Sequence, residues 1–156
     1  MLPFLSGIVL GFGAIQTQKI INISIESTLN IKNSEKAIEG KVADFIHKET
    51  NEEVIRFGTK VNRLTGAGKA GEIDIETKNQ IIEVKKSASV IDKSRIDKLT
   101  QINHKDFFNY EKKEVIIYID ESIDINNPYI RRDIEYAREN GIKIINSLEE
   151  LKKEIK

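Results

Sequence analysis

Residues 71–85 read GEIDIETKNQIIEVK, and their charged and apolar side chains alternate as they do in the two strands of a β-hairpin. A turn at residues 77–80 joins the strands and sets which residues face each other. The predicted cross-strand pairs are Asp74 with Glu83, Glu72 with Lys85, Ile75 with Ile82, and Ile73 with Val84. Apolar residues then meet on one face of the hairpin, which supports this register independently of any function.

The polar face of this hairpin opposes two carboxylates, those of Asp74 and Glu83. Directly opposed residues have Cβ atoms about 4.5–5.5 Å apart, and like charges at that spacing destabilise a sheet. A divalent cation held between them removes the repulsion, and Mg²⁺ takes one or two carboxylates together with water and phosphate oxygens. Lys85 shares this face, within reach of a phosphate or an attacking water. The alternative is that these side chains only keep an exposed hairpin soluble.

The patterns around the hairpin predict an α/β fold. From Ser34 onward they give a helix over 35–48, a strand over 53–60, the two hairpin strands, a helix over 93–108, a strand over 114–120, a helix from Pro128 to before Gly141, a strand over 142–145 and a helix capped by Ser147. The 93–108 helix is expected to carry Ile96, Leu99, Ile102 and Phe107 inward. The result is an αβββαβ core with a mixed sheet flanked by helices, plus a C-terminal αβα extension.

Composition limits the possible chemistry. The 156 residues carry 25 basic and 25 acidic side chains, so no overall basic field attracts nucleic acid, and any contact with it must come from local clusters. The absence of cysteine excludes disulfides, thiolate zinc sites and a cysteine nucleophile. Hydrophobic residues make up 39% of the chain, which suffices for a sizeable core.

Residues 1–33 are interpreted as an apolar, glycine-rich segment ahead of a domain that spans 34–156. The run from Leu2 to Ile15 is shorter than the roughly 20 residues of a membrane-spanning helix, and it lacks the positively charged start of a signal peptide. Three roles stay open: a segment that packs on or links the domain, a membrane-active segment, or a signal or anchor. Residues 22–33 predict one short strand, Ile23 to Ile25, followed by a loop.

Asp74, a gap of eight residues and then Glu83-Val84-Lys85 resemble the D-x(n)-E-x-K motif of the PD-(D/E)xK nucleases, which have the restriction-endonuclease fold. The core of that superfamily is a helix, three antiparallel strands, a helix and a strand, and residues 34–119 follow this order. The sequence departs from the motif at position 73, where isoleucine replaces proline.

The resemblance implies the roles of the site residues. Asp74, Glu83 and the Val84 carbonyl would hold Mg²⁺ or Mn²⁺, and Lys85 would orient the attacking water or offset charge on the phosphate. The superfamily often adds a glutamate from the first helix. Glu39 is the candidate for that catalytic position, and Glu35, one turn earlier, is second choice.

Residues 71–77 and 82–85 also look like the nuclease toxin domains at the C-termini of contact-dependent growth inhibition and other polymorphic toxin proteins. This resemblance covers residues 34–120. It implies a magnesium-dependent endonuclease acting on DNA or RNA, tRNA included, a dedicated immunity protein as partner, and delivery from a secreted or cell-surface protein into a target-cell cytoplasm. The alternatives are a cytoplasmic DNA-repair, junction-resolving or restriction nuclease, and an inactive module that binds nucleic acid or protein.

Five further side chains are candidate contacts for nucleic acid. They are Lys69 in the glycine-rich loop 65–71, Lys86 after the hairpin, and Lys98, Gln101 and Lys105, which share one stripe of the predicted 93–108 helix. The alternative is that the stripe is a solvated helix face and the loop is merely mobile. The loop is not a nucleoside triphosphate site, because it lacks the Walker spacing and precedes a strand where a helix is required.

Overall fold

A computed structural model of the chain describes residues 17–32 and 34–156. Its helices are α1 (Gln18–Leu29), α2 (Glu35–Glu49), α3 (Lys93–Thr100), α4 (Pro128–Glu139) and α5 (Leu148–Glu154), with a short 3₁₀ turn at Ala88–Val90. Its strands are β1 (Arg56–Asn62), β2 (Lys69–Glu76), β3 (Gln80–Lys85), β4 (Glu114–Ile119) and β5 (Lys143–Ile145). The apolar run from Leu2 to Ile15 lies outside the described residues. No helix within the described ranges is long and apolar enough to cross a membrane.

The strands form one mixed sheet in the order β1-β2-β3-β4-β5. β1 with β2 and β2 with β3 are antiparallel, whereas β3 with β4 and β4 with β5 are parallel. The parallel pairs are joined through α3 and α4, because parallel neighbours need a crossover connection. The predicted α/β class, with a mixed sheet flanked by helices, is therefore confirmed.

The core has two layers, one on each side of the sheet. Along β4, Val115, Ile117 and Ile119 join the layer that includes α3 and α4. Ile116 and Tyr118 join the layer that includes α1, α2 and α5. Alternate residues of β4 are thus buried on opposite faces, as its continuous apolar run predicts.

The predicted strand at Ile23 to Ile25 is wrong, because these residues lie in helix α1. Thr17 caps the helix by accepting a hydrogen bond from the Ile20 amide. The helix buries Ile21 and Ile25, which are one turn apart, and leaves Ile23 57% exposed. The sequence misled because isoleucines at 21, 23 and 25 alternate like a strand, while the packing uses only those with helical spacing.

The predicted 93–108 helix is too long, since α3 ends at Thr100. Asn109 explains the ending: its side-chain amide donates to the Leu99 carbonyl and so satisfies a backbone group that the helix leaves unpaired. Ile102 is 59% exposed and Phe107 is half-buried, so neither is the inward-facing helix residue that was expected. The fully buried aromatic residue is Phe108.

The hairpin has the predicted register next to its turn, where Ile75 pairs with Ile82, but the ladder does not extend to the predicted pairs of Asp74 with Glu83, Ile73 with Val84 and Glu72 with Lys85. One predicted face is wrong: Ile73 packs in the α3/α4 layer and Ile75 in the opposite layer. The neighbouring strand β1 carries Gly58 at φ 60°, a left-handed conformation that favours glycine. Asp74 lies between the two isoleucines, at the boundary between the layers.

Candidate active site

The strands β2 and β3 separate at Asp74. Their ladder pairs Glu76 with Ile81 and Ile75 with Ile82; one residue further, the Asp74 carboxylate accepts a hydrogen bond from the Val84 amide at 2.9 Å. A side chain thus takes the place of a backbone partner. Because the N–H and C=O of a strand residue point the same way, the Val84 carbonyl faces the gap that holds the Asp74 carboxylate.

Three acidic side chains gather at this gap. Burial, together with the carboxylates of Glu83 and Glu39, raises the pKa of Asp74 to about 8. Burial also raises the pKa of Glu39, which is 4% exposed on α2, while Lys36 opposes that increase. Asp74 itself forms no ion pair with any residue that the structure describes. Ionisation of these acids is therefore disfavoured at the gap unless a further positive charge enters it.

Glu83 is neutralised by a residue that the sequence interpretation missed. Its side chain is 1% exposed, and one carboxylate oxygen accepts a hydrogen bond from Arg95 of α3. The other oxygen, Oε2, is buried without a hydrogen-bond partner in the described chain. A buried carboxylate is unfavourable without a counter-charge. The position of Glu83 between the apolar Ile82 and Val84 could therefore have indicated that another element supplies a cation to it.

Lys36 is the second cation that the sequence interpretation missed. Its ammonium lies 3.1 Å from a Glu39 oxygen and 3.4 Å from a Glu72 oxygen, so it ties α2 to β2 beside the gap. Glu35, the second choice for the helix glutamate, is exposed. The buried position of Glu39 and its electrostatic effect on Asp74 favour Glu39 over Glu35.

Lys85 ends β3, two residues beyond Glu83 and therefore on the same side of the strand. Its side chain is half-buried, and within residues 17–32 and 34–156 its ammonium has no ion-pair or hydrogen-bond partner. A half-buried ammonium without a partner is available to bind an anion.

The five candidate contacts for nucleic acid lie on different elements of the fold. Lys69 and Lys86 are exposed, and the Lys69 ammonium lies 3.8 Å from Glu72. Lys98 is on α3, but Gln101 and Lys105 lie beyond its end, so the predicted helix stripe is wrong. Gln101 instead donates to Asn140 at the end of α4, and Lys105 lies next to Asp106 in the loop that follows α3.

The donor set fits a hard divalent cation with few protein ligands. Asp74, Glu83 and the Val84 carbonyl offer oxygen atoms around one gap, and Mg²⁺ typically binds one or two carboxylates and keeps several waters. Within the described parts of the chain no group of three or more histidine, aspartate or glutamate side chains is arranged to hold a metal ion. The fit thus rests on two carboxylates and a backbone oxygen.

Neither the protein-family models, the curated proteins nor the solved structures gave a match to this chain. The resemblance to the nuclease motif therefore rests on the residues of this chain and on their arrangement.

Proposed function

We propose that this protein is a magnesium- or manganese-dependent endonuclease that hydrolyses phosphodiester bonds of DNA or RNA. One observation carries the proposal: Asp74 is a half-buried acid with a pKa raised to about 8, without an ion-pair partner in the described chain, next to the buried Glu83. Ionisation of Asp74 beside the Glu83 carboxylate is unfavourable, and a bound cation would remove that penalty. Acids with strongly raised pKa values are common at functional sites, which supports a functional role for this arrangement.

The arrangement of the surrounding elements supports a restriction-endonuclease-like fold. The antiparallel β1-β2-β3 unit is followed by β4, which is parallel to β3. α2 and α3 pack on opposite faces of this sheet. Glu39 reaches the gap from α2, and Arg95 reaches it from α3.

The residues would divide the reaction as follows. Asp74, Glu83 and the Val84 carbonyl hold the cation, which when bound polarises the scissile phosphate and lowers the pKa of a water. Lys85 donates to that water or to a phosphate oxygen, where negative charge develops during the reaction. Glu39, held by Lys36, adds negative charge beside Asp74. The Lys69 and Lys86 ammonium groups contact phosphates of the nucleic acid, and these contacts position it without reading its sequence.

The decisive experiment is cleavage of labelled total tRNA and of supercoiled plasmid with Mg²⁺, with Mn²⁺ or with EDTA. We expect wild-type protein to cut one substrate only with metal, and Asp74→Ala to cut neither. Glu135→Ala is the matched control, because Glu135 is an exposed acid on α4, and it should cut like wild type. Intact substrates after incubation with folded wild-type protein, or full activity in Asp74→Ala, would refute the proposal.

The biological role that we propose is that of a toxin domain neutralised by an immunity protein and delivered into a target-cell cytoplasm. The support is the resemblance of residues 71–77 and 82–85 to that group of nucleases. Expression of the domain alone should stop growth, Asp74→Ala should be harmless, and co-expression of a small protein from the neighbouring gene should restore growth. A cytoplasmic repair nuclease predicts no growth arrest, and a restriction nuclease predicts an arrest that DNA methylation relieves and a binding protein does not.

A second candidate is a module that binds nucleic acid without cleaving it. It is favoured by the ion pair between Arg95 and Glu83, which neutralises one expected metal ligand without a metal. This candidate predicts binding that EDTA does not weaken and that Asp74→Ala leaves unchanged.

A further inference from the structure

Arg95 is held in place from three sides. Its guanidinium donates to Glu83 and to the backbone carbonyl of Glu72. It also lies over the ring of Phe108, with 4.8 Å from the guanidinium carbon to the ring centroid. Arg95 thus joins α3 to both hairpin strands at the point where those strands separate.

The aromatic ring that Arg95 contacts, that of Phe108, is held in place by the fold. Phe108 is fully buried, and its ring packs against the backbone of Gly71. A Cβ atom at position 71 would lie only 2.5 Å from the Phe108 Cε1 atom, so only glycine admits the ring there. The aromatic face therefore stays in place when the guanidinium changes its partner.

Arg95 and a cation would compete for the same acid. Glu83 has one oxygen bound to Arg95 and one without a partner. A carboxylate that binds a divalent cation at this gap attracts a guanidinium less strongly. The divalent cation and the guanidinium also repel each other. Arginine does not relieve this repulsion by losing its proton, because its pKa is too high.

We propose that Arg95 is a counter-ion that exchanges its partner: it holds Glu83 while the gap contains no cation, and it binds the substrate phosphate once Glu83 ligates one. This inference rests on the proposed nuclease function. The planar guanidinium suits the move, since its fork of donors binds carboxylate and phosphate in the same bidentate manner. The contact with Phe108 gives the side chain a pivot. Arg95 would then be a substrate-binding residue that also tunes metal affinity.

The first test measures Mn²⁺ binding by calorimetry without nucleic acid. We expect Arg95→Ala to bind Mn²⁺ about tenfold more tightly than wild type, the effect of removing one charged hydrogen bond that competes for the ligand. Arg95→Gln is the second variant, because it loses the charge but keeps a polar side chain. Arg63→Ala is the matched control: Arg63 also pairs with an acid, Asp106, at 2.8 Å, and its loss should leave Mn²⁺ affinity unchanged.

The second test measures the kinetics of cleavage. In Arg95→Ala and Arg95→Gln we expect KM for the nucleic acid to rise about tenfold, so metal affinity and substrate affinity move in opposite directions. Arg95→Lys should keep part of the substrate affinity, since it retains the positive charge. A purely structural role for Arg95 would instead weaken both affinities together and lower the melting temperature.

The outcomes separate this inference from the proposed function. Unchanged or weaker Mn²⁺ binding by both folded variants overturns the exchange of partners, even where wild-type protein cleaves nucleic acid. Tighter Mn²⁺ binding with unchanged KM overturns the substrate role of Arg95. Absence of cleavage by wild-type protein overturns the nuclease proposal, and tighter Mn²⁺ binding by the variants would still establish competition for Glu83.

Discussion

Replacing Asp74 by asparagine should stabilise the metal-free protein, and more so as the pH rises. Burial and the neighbouring acids raise the pKa of Asp74 from an ordinary 3.8 to about 8. Between these two values the unfolded chain has lost its proton while the folded protein still holds it. Stability is therefore complete below the unfolded pKa and falls as the pH rises towards the folded pKa. Asparagine does not titrate, and its side-chain oxygen can still accept a hydrogen bond from the Val84 amide.

The size of the effect follows from the same two values. Each pH unit between them changes the free energy of unfolding by about 1.4 kcal/mol. From pH 5 to pH 8, the advantage of Asp74→Asn over wild type should therefore grow by about 3–4 kcal/mol. A stability difference of this size exceeds that of most single substitutions.

Urea denaturation in EDTA at pH 5, 6, 7 and 8 measures this difference directly. Glu135→Gln serves as control, since it removes an exposed acid on α4 and should follow the wild-type pH dependence. Saturating Mg²⁺ should stabilise wild type by about 2.7 kcal/mol at a hundred times its dissociation constant, and leave Asp74→Asn nearly unaffected. A stability difference that stays constant or shrinks from pH 5 to pH 8 would refute the argument about Asp74.

Three further outcomes are expected. Lys85→Ala should reduce kcat at least about 100-fold with unchanged melting temperature, because its ammonium has no partner in the described chain, whereas Lys78→Ala, at an exposed position in the hairpin turn, should change kcat little. Gly40→Ala should lower the free energy of unfolding by about 1–3 kcal/mol, since its Cβ would lie 1.9 Å from the Thr28 hydroxyl oxygen of α1; urea denaturation measures this. Glu39→Gln should lower the pKa of Asp74, because the Glu39 carboxylate raises it, and so extend the pH profile of cleavage to lower pH.

The sequence predicted the hairpin well because its register depends on local features. Alternation of side chains and a short turn are enough to pair Ile75 with Ile82, and both lie within ten residues of the turn. The buried strand β4 and the capped helix α4 were predictable for the same reason: five consecutive apolar residues, and Asn127 followed by Pro128.

The cations of the site were not predictable, because they depend on contacts distant in sequence. Lys36 meets Glu72 across 36 residues, and Arg95 meets Glu83 from a different layer. No periodicity marks either residue. The end of α3 was missed for a related reason: the groups that bind its last carbonyls, among them the side chain of Asn109, come from the loop that follows it.

The two ends of the hairpin show why a cation is expected at only one of them. Glu76 at the closed end is 1% exposed, and one of its oxygens is also buried without a hydrogen-bond partner, so an unpaired oxygen alone does not mark a site. Glu76, however, accepts from both Arg56 and Lys113, two cations for one acid. At the open end the single Arg95 pairs with Glu83, and Asp74 pairs with no cation of the described chain. At the closed end two cations therefore pair with the one acid Glu76. At the open end one cation, Arg95, faces the two acids Asp74 and Glu83.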